Sequence, residues 1–211
     1  MIEIFLSGGF LMWPILACSI VSTAIIIERL WSLQSKRVLP PHLTRQLWYW
    51  ISQGTLDDEH VTAIRRSSPL GQVLAVALDS RGQDREVMKE SVEDTGRHVA
   101  HQLSRYLTTL GTVAEISPLL GLLGTVIGMV NVFTVITTEG IGDPGALAGG
   151  ISQALITTAA GLTVAIPSLI GFRHLQSRVD ELVIAMEQEA IRLVETLQGD
   201  RPMPYGVKEP Q

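Results

Sequence analysis

Six uncharged polar side chains, Ser117, Thr125, Asn131, Gln153, Thr157 and Thr158, lie in two long stretches that hold no Asp, Glu, Lys or Arg. Hydroxyls and amides donate and accept hydrogen bonds without changing charge. Such groups can solvate a carboxyl group or a water chain brought against them, but they cannot relay a proton by ionising. The nearest acids, Glu115, Glu139 and Asp143, stand only at the ends of the two stretches. If this chemistry serves protons, the titrating group comes from another chain, or water carries the proton.

The spacing of these residues predicts helices with two unlike faces. At the 3.6-residue period of a helix, Pro118, Gly121, Thr125, Gly128 and Val132 share one strip, and Ser117, Gly124 and Asn131 the next. Leu119, Leu122, Leu123, Val126, Ile127, Val130 and Phe133 fill the remainder. The later stretch repeats the pattern. Ala154, Thr158, Gly161, Ala165 and Ser168 share a strip, Gly150 and Thr157 lie beside it, and Gln153 is toward its edge. Two readings stay open for these strips. Small residues let helices approach closely in lipid, as in the small-x-x-x-small pair Gly124 and Gly128. Alternatively, the two polar strips face a common cavity, since polar groups at membrane depth face protein or water rather than lipid. On the second reading Thr125, Thr158, Thr157, Gln153, Asn131 and Ser117 line the cavity. Gly121, Gly124, Gly128, Gly161, Ala154 and Ala165 then pack the helices and keep the wall thin.

The elements that carry these faces are set by charge distribution. The chain has 211 residues, 18% of them charged, with a net charge of −5 and a mean hydropathy of +0.28. Three windows are free of charge, Ile4–Ile27, Ile116–Thr138 and Pro144–Phe172. Each exceeds the roughly 20 residues that a helix needs to cross a bilayer core. The first has Glu3, no basic leader and no A-x-A-type site, so it is expected to remain as a helix and not to be cleaved as a signal peptide. Pro14 suits its first turn, and the helix is expected to run on until Pro40-Pro41. The expected organisation is an N-terminal tail and first span (1–27), a cytoplasmic helical loop (28–115), a second span (116–138), a periplasmic turn (139–143), a third span (144–172) and a cytoplasmic helix with its tail (173–211). The fold class is all-α.

All 16 Lys and Arg residues lie in the 28–115 and 173–211 segments. The positive-inside rule therefore puts those segments and the C-terminus in the cytoplasm, and the N-terminus on the other side. Arg29, Lys36, Arg37, Arg105 and Arg173 are candidates for contact with anionic lipid head groups at the boundary, alongside their plainer role in setting topology.

Within 42–105 the pattern predicts helices broken at Gly54, before Pro69 and near Asp84. Nothing strong then interrupts the run from 85 to 138, which would make one helix of about 80 Å at about 1.5 Å per residue. After Phe172, the apolar positions Leu175, Val179, Leu182, Met186, Ala190, Leu193 and Leu197 step through two eleven-residue repeats, which keep a stripe on one side of a nearly straight helix. Pro167 is expected to kink or loosen the third span. His98 and His101 stand three apart with no third ligand in view, and Cys18 is the only cysteine. No phosphate loop, CxxC or HExxH motif is present, and no enzyme activity, cofactor, metal or nucleic-acid ligand is expected.

Three segments, "GGFLMWPILACSIVSTAIIIERLW", "SPLLGLLGTVIGM" and "GGISQALITTAAGLTVAIP", together resemble the ExbB/TolQ/MotA proton-channel family, and within it the ExbB proteins. The resemblance implies a homopentamer in the bacterial inner membrane whose second and third spans line a pore. It implies a dimeric ExbD/TolR-like partner with one intramembrane Asp per chain, and a TonB-like energiser that passes proton-driven motion to outer-membrane transport. Thr125 matches the threonine of the family's GT motif, and Thr158 the pore threonine of its third span. Gln153 departs from the Glu of several ExbB proteins. A TolQ-like role in envelope integrity, a stator and a passive scaffold without ion flux are the alternatives.

Overall fold

The computed structural model describes residues 8–139 and 144–199, and in them the chain is all-α. The helices are α1 (Met12–Ser32), α2 (Ser35–Val38), α3 (Pro41–Gln53), α4 (Asp58–Ser67), α5 (Pro69–Asp79), α6 (Arg85–Leu103), α7 (Leu107–Glu139) and α8 (Pro144–Leu197). Helices α1, α7 and α8 are long and apolar enough to cross a membrane. The expected turn lies mostly in 140–143, outside the described residues, as do the first seven residues and the tail from 200 onward.

The chain divides into two compact units, one of Met1–Arg29 and Tyr106–Leu175, the other of Leu30–Arg105 and Gln176–Gln211. In the first unit α8 packs against both α1 and α7. Its closest approaches pair Ser117 with Gly161, Gly121 with Thr158, Gly128 with Ala154 and Gly111 with Phe172, so α7 and α8 run antiparallel. Thr157 meets Gly8, Ser168 meets Ser22 and Gly171 meets Ile26, so α1 runs parallel to α8. The outer faces carry exposed Leu119, Leu122, Val126, Val130 and Phe133 on α7, and Leu155, Leu162, Ile166 and Ile170 on α8. These are the bulky residues that the helical pattern assigns away from the small-residue strips. Exposed apolar faces of this extent suit lipid or other membrane-embedded chains.

In the second unit local signals fix the helix ends. Pro41 opens α3 at a first-turn position, where its missing N–H costs little, and Gly54 closes it at φ 65. The Asp57 side chain accepts from the Glu59 N–H at 2.9 Å to cap α4, and the Ser68 hydroxyl accepts from the Gly71 N–H at 3.1 Å to cap α5. The core gathers Leu47, Ile64, Leu70, Leu74, Leu78, Met88 and Val99 with the stripe of α8. Val179, Leu182, Met186, Ala190 and Leu193 are all buried, which is the side selected by the eleven-residue repeat.

Two expectations about helix ends give way. The first span does not run on to Pro40. It ends at Ser32, and a single turn, α2, follows while Leu33 and Val38 turn inward to 2% and 1% exposure. Nor is 85–138 one helix. It breaks between α6 and α7, where Tyr106 adopts φ 66, a left-handed conformation that costs a non-glycine residue roughly 1–2 kcal/mol. The two glycines that weaken the pattern, Gly96 and Gly111, both stay helical. The Tyr106 ring instead lies beneath the Arg29 guanidinium of α1, 5.3 Å from its carbon to the ring centroid. This is a tertiary contact with no local sequence signature. Pro118 and Pro167 both sit inside helices that continue past them.

Candidate functional site

The α7–α8 seam is built on missing side chains. A methyl carbon added at Gly121 would stand 3.0 Å from the Thr158 Cα, and one at Gly161 2.5 Å from the Ser117 carbonyl oxygen. At Gly124 it would meet the Thr157 side chain at 2.5 Å, at Gly128 the Ala154 Cβ at 2.9 Å, and at Gly150 the Val132 Cγ2 at 2.5 Å. The two strips of small residues therefore face each other within one chain. In lipid, where apolar burial between helices adds little, such close backbone approach and the hydrogen bonds it permits hold helices together.

The hydroxyls along this seam have different settings. Thr158 is half-buried and donates across the seam to the Gly121 carbonyl at 3.0 Å. Thr125 is half-buried and donates to the Leu122 carbonyl of its own helix at 2.6 Å. Its oxygen keeps acceptor capacity for a further donor. Asn131 is exposed near the other end of α7. Gln153 is half-buried beside Gly9, whose absent side chain makes room for the Gln153 amide.

Ser117 and Thr157 differ from the cavity expectation. Both are 0% exposed. Ser117 donates to the Val113 carbonyl at 2.7 Å, and Thr157 reaches the Gln153 carbonyl at 2.6 Å and the Gly8 carbonyl at 3.2 Å. Each is enclosed by neighbouring helices of the same chain, because the glycines opposite bring those helices too close to leave a lumen at these two positions. Ala154, Ala165 and Gly161 are buried in the same packing. No acidic side chain lies within 116–138 or 144–172, so the half-buried Thr125 and Thr158 offer polarity without a carboxylate.

Among the boundary cations, Arg29 is 7% exposed, bonded to Glu28 at 2.8 Å and stacked on Tyr106. That burial withdraws it from the head-group set. Lys36, Arg37, Arg105 and Arg173 remain exposed, with the Arg37 guanidinium 3.6 Å from the Trp31 ring centroid. His98 and His101 are exposed, and no group of three or more His, Cys, Asp or Glu side chains suited to a metal occurs among the described residues. Three features of the site escape the helical pattern: Gly8 and Gly9 against α8, the Ser22–Ser168 pair, and Tyr106 under Arg29. Ser168 lies on a strip the period selects, whereas Ser22 shares one side of α1 with Cys18, Ser19 and Thr23, and the sequence does not single it out among them.

Residues 65–188 match the profile of the MotA/TolQ/ExbB proton channel family. The chain is 31% identical over 180 residues to a biopolymer transport protein ExbB-like 1 of Synechocystis sp., covering 84% of this chain and 71% of that protein. It is 29% identical over 185 residues to the biopolymer transport protein exbB1 of Vibrio cholerae, covering 85% and 80%. It is 39% identical over 82 residues to the Tol-Pal system protein TolQ of Pseudomonas aeruginosa, covering 39% of this chain and 36% of that one. With three membrane-length helices and a profile match over more than half its length, the chain belongs to the MotA/TolQ/ExbB proton channel family, as a multi-pass inner-membrane protein.

Proposed function

We propose that this chain is the channel-forming subunit of an ExbB–ExbD–TonB-type motor, which uses the proton gradient to energise outer-membrane transport. The observation that carries this reading is the pair Thr125 and Thr158. Both are half-buried along one helix seam, and no acid lies in the membrane windows. A site that is polar and uncharged suits a carboxyl group that alternates between its charged and neutral forms, because it can hydrogen-bond both. That carboxyl would be the intramembrane Asp of a dimeric ExbD/TolR-like partner. Five copies of α7 and α8 would surround it, with Thr125, Thr158 and Asn131 toward the lumen and a TonB-like protein taking up the motion. Gln153, being neutral, would leave the partner's Asp as the sole titrating group at that depth. The arrangement of Lys and Arg supports an N-terminus in the periplasm and a C-terminus in the cytoplasm.

The test is substitution of Thr125 and Thr158 by Val, which keeps shape and removes the hydroxyl. Loss of proton-driven transport with the oligomer still assembled is expected; full transport in both variants would sink the reading. The TolQ match favours one second reading, a subunit that maintains envelope integrity. Expression in cells lacking their own ExbB-type or TolQ-type protein separates the two. Rescue of siderophore-dependent growth is expected, and rescue of detergent resistance alone would favour the TolQ role.

A further inference from the structure

Ser22 in α1 and Ser168 in α8 are 3% and 1% exposed, with hydroxyl oxygens 2.5 Å apart. The direction of this bond follows from its neighbour. The Ser168 oxygen also lies 2.6 Å from the Val164 carbonyl, which can only accept. The Ser168 proton is thus committed to Val164, and Ser22 is the donor to Ser168. The relay sits beside Pro167. Proline has no N–H, so the Thr163 carbonyl loses its usual helical partner and the helix is weakened there. At membrane depth, neighbouring helices and serine side chains are what stabilise such a point. The α1 contact also continues on both sides of it. Gly171 lies against Ile26, where an added methyl carbon would meet the Ile26 Cδ1 at 2.8 Å, and Thr157 reaches Gly8.

We propose that Ser22 and Ser168 are positioning residues: their hydrogen bond ties α1 to α8 at Pro167, so that the two helices move as one body. Thr158 lies on the far side of Pro167 from this tie and on the same helix. A flexing proline would change the angle at which Thr158 meets Gly121, and the tie to α1 holds that angle. The effect on transport rests on the channel reading above; the tie itself does not.

The test uses the full chain with its partner proteins, carrying Cys18→Ser, Ser22→Cys and Ser168→Cys. Mild copper-catalysed oxidation should join the two sulfurs within one chain in most molecules, since their parent oxygens are in contact. The oxidised protein should keep at least half the transport activity of the reduced protein. Ser168→Ala and Ser22→Ala, each without the disulfide, should lose transport threefold or more while assembly is unchanged. Failure to cross-link would overturn the tie. A cross-linked form that is inactive and regains activity on reduction would overturn the joint movement, and full activity in both alanine variants would overturn the positioning role. Failure of the channel reading looks different: the Cys18→Ser parent would be inactive in both transport and envelope assays. The tie would then be judged by cross-linking and by a lower unfolding temperature in Ser168→Ala, and an unchanged temperature would count against it.

Discussion

Thr158 in α8 donates its hydroxyl to the carbonyl of Gly121 in α7 at 3.0 Å, and the bond exists because Gly121 has no side chain to hold the helices apart. A residue proposed to face a partner's carboxyl group is thereby also part of the seam between its own helices. Thr158→Ser keeps the hydroxyl and should retain transport. Thr158→Val should abolish it while lowering stability by only about 0.6 kcal/mol, and at most about 1.7, the range for interhelical hydrogen bonds in membranes. Thermal unfolding in detergent, read beside the transport assay, checks both. A Val variant that unfolds outright would mean that the hydroxyl's role is structural.

Gly161 and Gly96 should respond oppositely to the same substitution. At Gly161 a methyl group would stand 2.5 Å from the Ser117 carbonyl oxygen, a backbone atom that cannot move without its helix. Gly161→Ala should therefore cost about 1–3 kcal/mol, as overpacking does, and lower the yield of assembled protein. At Gly96 in α6 nothing lies within 4 Å. Gly96→Ala should be neutral or stabilising by up to about 1 kcal/mol, because it lowers the entropy cost of helix formation. Unfolding temperatures of the two variants, measured side by side, decide this.

The eleven-residue stripe of α8 makes a third prediction. Leu182 and Leu193 are 2% and 0% exposed, whereas Gln188 between them is exposed. Leu182→Ala or Leu193→Ala should cost about 2–5 kcal/mol, and Gln188→Ala less than about 0.5 kcal/mol. Hydrogen exchange should place the loss in α3–α6 and the end of α8, with the membrane-length helices α1 and α7 little changed.

Tyr106 combines a left-handed backbone with an Arg29 contact. Tyr106→Phe keeps the ring and should be more stable than Tyr106→Ala. Tyr106→Ala loses the ring and keeps the strain. Tyr106→Gly loses the ring but relieves the strain, so it should be more stable than Ala by about 1 kcal/mol. An Ala variant as stable as the Gly variant would show that the φ value at this position is not costly.

Much of the architecture is legible from residues alone. The three charge-free windows and the buried side of α8 follow from charge and period, and the stops at Gly54 and before Pro69 from the backbone habits of glycine and proline. The small-residue strips are also legible, and so is their opposition to the bulky faces. Whether a given hydroxyl on a strip is enclosed or accessible is not. Thr157 and Thr158 are adjacent in sequence, yet Thr157 is fully buried and Thr158 half-buried. That difference depends on Gly124 and Gly8, which both come up against Thr157 in the folded chain.

Sequence by itself determined which segments can enter a membrane, because the cost of burying a charge is a property of each residue and sums along the chain. It also determined the side of each helix that packs, because the helical period is fixed by the backbone. Only the tertiary structure decided that 85–138 breaks at Tyr106, that Ser22 finds Ser168, and that Arg29 is withdrawn from the surface. Each of these depends on a contact between residues far apart in the chain, whose free energy belongs to neither residue until the helices have met.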